Sequence, residues 1–315
     1  MALKGSLMHQ KAEILGIRII AVDSMLDALK KLSNLKGEFD VIHAQTGKAH
    51  TQCVLTKLFH KIPVVYTRRV DFIPSGFFTK LKYKFTDKVV SISPAISSTL
   101  SKSKTYLNSP IISSAVKTKK LDIKRALKLK TTLNINNNFK IVGIVSALTE
   151  EKDPITGIKA IRKLKNNRND FVVVHFGDGI FFDLIEDKIK ELNMKHLYFQ
   201  MGYHENVEDY FSIMDVFLMT SKEEGLGSSV LDAFNYEVGV VSTNAGGLSD
   251  LVQDRGFLCS VGSVQCLSKG LDSALDFSKE SSMYKARAKK YCNDEMGIDR
   301  MTSKYIALYR EMVDG

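Results

Sequence analysis

Short apolar runs alternating with amphipathic stretches constrain this chain more than any other feature. Strands are predicted at residues 40–44, 62–67, 88–93, 140–148, 171–176, 196–200, 216–220 and 238–243. Helical patterns at 154–164, 181–192, 207–213 and 228–236 lie between many of them. Continuous apolar strands separated by helices cannot leave one sheet face in water, so they imply parallel sheets covered on both sides. The length, 315 residues, suits two such domains. A boundary is expected at 117–138, where a lysine-rich run and the stretch Asn134-Ile135-Asn136-Asn137-Asn138 precede a buried strand. The tail, 282–313, reads as helix interrupted near Gly297.

Composition excludes several alternatives. Hydrophobic residues at 44% and charged residues at 25% can fill two cores, so disorder is not the main state. No run of 18 apolar residues occurs, and the first residues lack an apolar export segment. Four scattered cysteines are read as reduced thiols of a cytoplasmic protein. The net charge of +10 is uneven. Residues 1–130 carry 24 Lys and Arg against 8 Asp and Glu, and the remainder is acidic by 6. A basic half favours an anionic membrane surface or a phosphorylated acceptor, or else it is a solvated face. Nucleic acid is excluded as a partner, because the basic residues are dispersed and no binding signature accompanies them. On the basic half, Lys80, Lys82, Lys84 and Lys88 interleave with Phe77, Phe78, Tyr83 and Phe85. That pattern suits an anionic bilayer or a packed helix with solvated lysines.

The densest chemical signal runs from Ser221 to Ala233. A strand delivers the chain to Glu224, a turn Gly225-Leu226-Gly227 follows, and a helix then begins. Glycines allow close backbone approach, and a helix start presents unpaired N–H groups with partial positive charge, a combination that suits a diphosphate. Asp232 falls one turn into that helix, roughly 6 Å along its axis, where a carboxylate can hold ribose hydroxyls. Further glycine turns at Gly246-Gly247 and at Gly177-Asp178-Gly179 follow neighbouring strands and point to one crevice at a sheet edge. Lys152, just before a helix, can meet phosphate as a point charge or simply sit exposed. His43 closes a strand, as a site residue or a core histidine. Lys48 and His50 are candidates for an acceptor side. No cluster has metal-ligand spacing.

On these residues the chain resembles the family 4 retaining glycosyltransferases, which have the GT-B fold. The resemblance rests on the Glu224-to-Asp232 block, Gly246-Gly247, residues 148–154, Gly177-Asp178-Gly179, Phe199-Gln200-Met201-Gly202 and the closing residues 305–309. It implies an α/β fold of two Rossmann-like domains facing a cleft. Residues 1–120 would bind the acceptor, 138–290 a nucleotide-diphosphate sugar, and 291–315 would form a helix crossing back. Neither metal nor cofactor is implied. Glu224 would contact the sugar beside the reacting carbon, Gly225, Leu226 and Gly227 would offer amides, Lys152 would hold the diphosphate and Asp232 the ribose. The glycines Gly177, Gly179, Gly246 and Gly247 would line the donor site. With Glu224, His43 and Arg69 would be the catalytic residues, Arg69 by stabilising a departing phosphate or binding an anionic acceptor, and Lys48 would bind substrate on the acceptor side.

Four departures accompany the resemblance. Asp232 stands where Glu is usual, which routes the ribose contact through water. Ala147 stands where an arginine is common, so neutralisation falls on Lys152 or another base. Arg69 takes the place of a frequent histidine. The strand, glycine loop and helix that open the first domain in relatives are expected to be missing. Three explanations stay open for that: a misassigned start, a decayed gene, or a second chain that completes the sheet. The implied activity is transfer to a cell-envelope glycan or glycolipid at the cytoplasmic face. The alternatives are a nucleotide-sugar epimerase of the same fold and a non-catalytic remnant.

Overall fold

The computed structural model of the chain describes residues 1–314. They form two compact units. The first takes residues 1–92, 97–112 and those from Ser303 onward, and the second takes 93–96 and 113–302.

The first unit carries five short parallel strands in two sheets. β1 (Ala2–Leu3) pairs with β2 (Ala21–Val22), and β3 (Ile42–Ala44), β4 (Val64–Arg68) and β5 (Lys88–Ser91) form the other sheet in that order. Ser24 and Thr46 cap the helices Met25–Ser33 and Gly47–Leu55 by accepting from amides three residues on. The core gathers Leu32, Ala44, Val64, Tyr66, Tyr83, Val89 and Leu100. No strand among the described residues joins the two sheets. A cavity of about 600 Å³, lined by Leu3, Val22, Leu32, Ile42 and Ala44 among others, borders strands of both. The amides of Ala2 and Lys4 serve β2, and that of Ile42 serves the strand-entry carbonyl of Pro63. Alternate residues of a parallel strand serve one neighbour, so the backbone groups of Leu3 and His43 face away from those ladders.

The second unit holds one continuous six-stranded parallel sheet. Its strands are β6 (Lys140–Val145), β7 (Phe171–Phe176), β8 (Tyr198–Gly202), β9 (Val216–Met219), β10 (Gly239–Thr243) and β11 (Phe257–Cys259), in the spatial order β11-β10-β9-β6-β7-β8. All six residues of β7 are buried, as expected for a strand covered on both faces. The order reverses between β6 and β9, which makes the carboxyl ends of those two strands the topological switch point.

Three expectations need correction. The expected boundary contains the helix Ile123–Thr132, capped by Asp122, whose Arg125 pairs with Asp209 at 3.1 Å. This polar stretch is therefore ordered against the second unit. The pattern at Val207–Ile213 winds as a 3₁₀ helix. Four reduced thiols are not found, because the turn from β11 into the helix Val264–Leu275 brings Cys259 and Cys266 together as a disulfide with Cα atoms 5.6 Å apart. Cys53 and Cys292 are free and buried, and burial pushes each thiol up to about 11. No described helix is long and apolar enough to cross a membrane.

Candidate functional site

The site grows from the switch point of the second sheet. Beyond β9, Thr220 donates its hydroxyl to the carbonyls of Lys152 and Asp153, both at 3.0 Å. The amide of Lys222 donates to Glu151 at 2.8 Å. These bonds tie the loop after β9 to the loop after β6. The result is a Lys152 Nζ–Glu224 Oε2 ion pair of 2.7 Å, with both side chains only partly exposed.

Directly after Glu224 the chain turns through Gly227, whose φ of +87° is left-handed, into the helix Ser228–Asn235. No side chain caps that helix. The amides of Gly225, Leu226, Gly227, Ser228 and Ser229 find no acceptor among the described residues, which leaves a helix N-terminus open to an anion. The loop is held from beneath by Gly247. Its amide donates to the Glu224 carbonyl at 2.8 Å, and a Cβ there would lie 2.3 Å from the Gly225 oxygen.

The carboxylate of Asp232, on the same helix, accepts no protein hydrogen bond among the described residues. Burial, with the nearby Glu208 charge, pushes its carboxyl up to about 6, and Lys119 opposes the shift. Gly177 and Gly179 act as close-packing positions. A Cβ would meet the Ser146 carbonyl oxygen at 1.8 Å at Gly177, and that of Leu148 at 2.5 Å at Gly179. Their amides are engaged, by the Gly202 carbonyl and by the Asp178 carboxylate. The donor groups left for a ligand are thus the amides from Gly225 to Ser229, beside Lys152, Glu224 and Asp232. Gly246 starts the six-residue helix Gly247–Val252 from a positive φ.

The first unit has its own polar cluster, at the carboxyl ends of β3 and β4. His43 Nδ1 lies 2.6 Å from the Tyr309 hydroxyl and Nε2 lies 2.7 Å from Thr67 Oγ1. Thr67 also meets the Tyr305 hydroxyl at 2.8 Å, and Arg69 donates to Gln45 Oε1 at 2.9 Å. Burial, reinforced by the Arg69 charge, lowers the His43 imidazole to about 4, so it is neutral at pH 7. His43 and Arg69 are therefore brought together. Lys48 lies exposed on the helix Gly47–Leu55 and borders the 600 Å³ cavity.

His50 does not belong to an acceptor side. It is fully buried, stacks on Tyr66 at 4.0 Å and meets Thr86 Oγ1 at 2.6 Å, and burial lowers it to about 3. Among the described residues no cluster of three or more His, Cys, Asp or Glu could hold a metal ion.

Residues 127–291, 165 of 315, match the family described as Glycosyl transferases group 1. The chain belongs to that family. Among solved structures, a glycosyltransferase from Rickettsia africae superposes with a TM-score of 0.87 at 18% identity, covering 100% of this chain and 90% of that one. HepE of Anabaena in complex with UDP-glucose gives 0.82 at 18% identity, covering 97% and 89%. At these identities the likeness shows the fold, which is GT-B. Among curated relatives, the N-acetyl-alpha-D-glucosaminyl L-malate synthase of Bacillus anthracis is 24% identical over 191 residues, 59% of this chain and 49% of the relative. A Campylobacter jejuni alpha-1,4-N-acetyl-D-galactosaminyltransferase named for a diphospho-undecaprenol-linked glycan is 27% identical over 176 residues, 55% and 48%. The chain spans about half the length of these two relatives.

Within this group 1 glycosyltransferase family member, sequence reasoning missed three contributors. Ser228 and Ser229 matter through their backbone amides, which no side-chain pattern marks. Lys119 sits beside Asp232 and pairs with Glu208, though its lysine run read only as linker. Tyr305 and Tyr309 hold the His43 cluster; their spacing of four along a helix was a usable sign of one shared face.

Proposed function

We propose that the protein is a retaining, family 4 glycosyltransferase that moves a hexosyl-type sugar from a nucleotide-diphosphate sugar to a cell-envelope glycan or glycolipid, such as lipopolysaccharide or polysaccharide. The reading rests on one observation: Lys152 and Glu224 pair at 2.7 Å beside an uncapped helix start, at the switch point of a parallel sheet. An arriving diphosphate competes with Glu224 for Lys152. Its oxygens take the amides from Gly225 to Ser229, so the leaving negative charge is met by fixed donors without a metal. The released Glu224 carboxylate then accepts from a donor-sugar hydroxyl near the carbon where positive charge develops, and ionised Asp232 takes the ribose. Residues 138–290 serve the donor. Residues 1–120 serve the acceptor through His43, Arg69 and Lys48, and the last helix carries Tyr305 and Tyr309 to that cluster. The UDP-glucose complex of HepE and the undecaprenol-linked substrate in the Campylobacter enzyme's name support donor and acceptor classes of this kind. Work on a lipid-linked acceptor suits peripheral attachment to the inner, anionic membrane face through the basic half.

A thermal-shift series with UDP, GDP and ADP, each with and without EDTA, tests the donor site. A stabilisation of several degrees that survives EDTA supports it, because ligand bound only by the folded state raises Tm. No shift with any nucleotide, or a shift only with added metal, refutes it. The divided sheet of the first unit favours a second reading, a donor-binding protein without transfer. Nucleotide binding without hydrolysis or transfer of UDP-sugars would select that reading.

A further inference from the structure

We propose that an apolar groove on the first unit, built by the helices Gly47–Leu55, Lys57–His60 and Phe77–Lys84, is the face that seats on an anionic bilayer. The proposal deepens the peripheral attachment above by assigning its residues, and it rests on that reading only for its biological sense. The groove holds about 870 Å³ and is lined by Val54, Leu55, Leu58, Phe78, Leu81 and Phe85. Leu58 and Phe78 are 85% and 83% exposed, and Phe59 and Phe77 beside them are also exposed. Scattered exposed apolar residues are ordinary, whereas a contiguous group around one groove marks a contact surface.

The buried sides of two of these helices are already packed: His50 and Tyr83 are in mutual ring contact with Tyr66, and Arg68 bonds Tyr83. The layout corrects the simple lysine–aromatic alternation. Tyr83 is core, Lys82 bends inward to Thr51 Oγ1 at 3.1 Å, and Lys88 is paired with Glu311.

Charge chooses the occupant. Lys61 on the groove lining, and Lys80 and Lys84 on the helix that forms one of its walls, are exposed and join no ion pair among the described residues. The acid at its rim, Asp87, is already held by Lys57 at 2.6 Å. A protein partner of mixed charge meets no acidic counterpart on this rim, while an anionic leaflet finds aromatic rings to insert and lysines to neutralise its headgroups.

The chain contains no tryptophan, so Phe78→Trp introduces a single reporter at the groove. Mixed with vesicles of phosphatidylcholine plus phosphatidylglycerol, its emission should shift to shorter wavelength and be quenched by brominated lipid. Tyr203→Trp, on an exposed loop of the second unit, should show neither effect. Replacing Lys61, Lys80 and Lys84 together by Gln should weaken partitioning about 100-fold, at roughly 1 kcal/mol per lysine. Unchanged thermal unfolding confirms that this triple variant is folded, and an unchanged UDP shift separates the result from the fate of the donor site. Equal binding to pure phosphatidylcholine, pelleting without the emission change, or no binding overturns the proposal. So does a concentration-dependent shift without vesicles, which would make the occupant a second copy of this chain.

Discussion

The two units use the same grammar of parallel strands and covering helices with different completeness. In the second, six strands run without a break, and every functional loop leaves the same sheet edge. In the first, five strands fall into sets of two and three, with a 600 Å³ cavity bordering both. The comparison teaches that a continuous sheet holds a site through close ties between adjacent loops, as Gly247 against Gly225 and Thr220 against Lys152 show. The divided one relies on side-chain bonds to a distant helix, as His43 does through Tyr309.

The sharpest way to break the comparison is at Glu224. Glu224→Gln should reduce turnover about 10²–10³-fold, the range for losing one transition-state electrostatic contact. Asp232→Asn should mainly raise the donor KM, because a ribose contact binds ground and transition states alike. Steady-state kinetics with a UDP-sugar reads both. If Asp232→Asn abolished turnover and Glu224→Gln only weakened donor binding, the assigned roles would be reversed.

Glycine substitutions sharpen the contrast in packing. Gly247→Ala forces a Cβ onto the loop backbone at 2.3 Å and should cost about 1–3 kcal/mol. Gly47→Ala in the first unit meets nothing within 4 Å at a helix start and should be neutral or stabilising by up to about 0.5 kcal/mol. Urea unfolding of the two variants measures the difference.

Acid should separate the units next. Burial holds His43 at about 4 and His50 at about 3, and lowers His60, all in the first unit. A histidine with a depressed folded pKa takes up protons mainly when unfolded, so its stabilisation is lost as pH falls from 6.5 toward 4. The second unit has His175 at about 4, offset by Asp232, whose raised value makes protonation favour the folded form below about 6. Amide exchange at pH 7.5 and pH 5 should therefore show the first unit losing more protection, by about 1–2 kcal/mol per buried histidine. Equal loss in both units would count against this account.

The smallest effect is expected at Lys88–Glu311, a 2.6 Å pair whose carboxylate is well exposed. Glu311→Ala should change stability by less than about 1 kcal/mol, even though the pair fastens the last helix to β5. A larger loss in thermal unfolding would show that this helix depends on that one tie.

What the sequence made legible follows the same division. β7 and β6 announce themselves because strands covered on both faces must be continuously apolar. The glycine turns are legible because Gly177, Gly227 and Gly247 occupy places where any Cβ would strike backbone or packed side chains. β1, β2 and β11 were not anticipated, since two or three residues carry no period. The Cys259–Cys266 bond escaped because spacing alone does not reveal that a strand ends and a helix begins between them. His43 with Tyr309 spans 266 positions, a distance that only the completed fold closes.

That last pairing sets an order of events during synthesis. The first unit draws on residues made early and on those from Ser303 onward, separated by roughly 190 residues of the second unit. At about 5–20 residues per second, the early strands wait on the order of 10–40 s before Tyr305 and Tyr309 exist to engage Thr67 and His43. Throughout that interval the backbone of His43 stands at an unpaired strand edge, a template for other nascent chains. The second unit needs no such delay, so the ribosome delivers a finished six-stranded sheet before its neighbour in sequence can be completed.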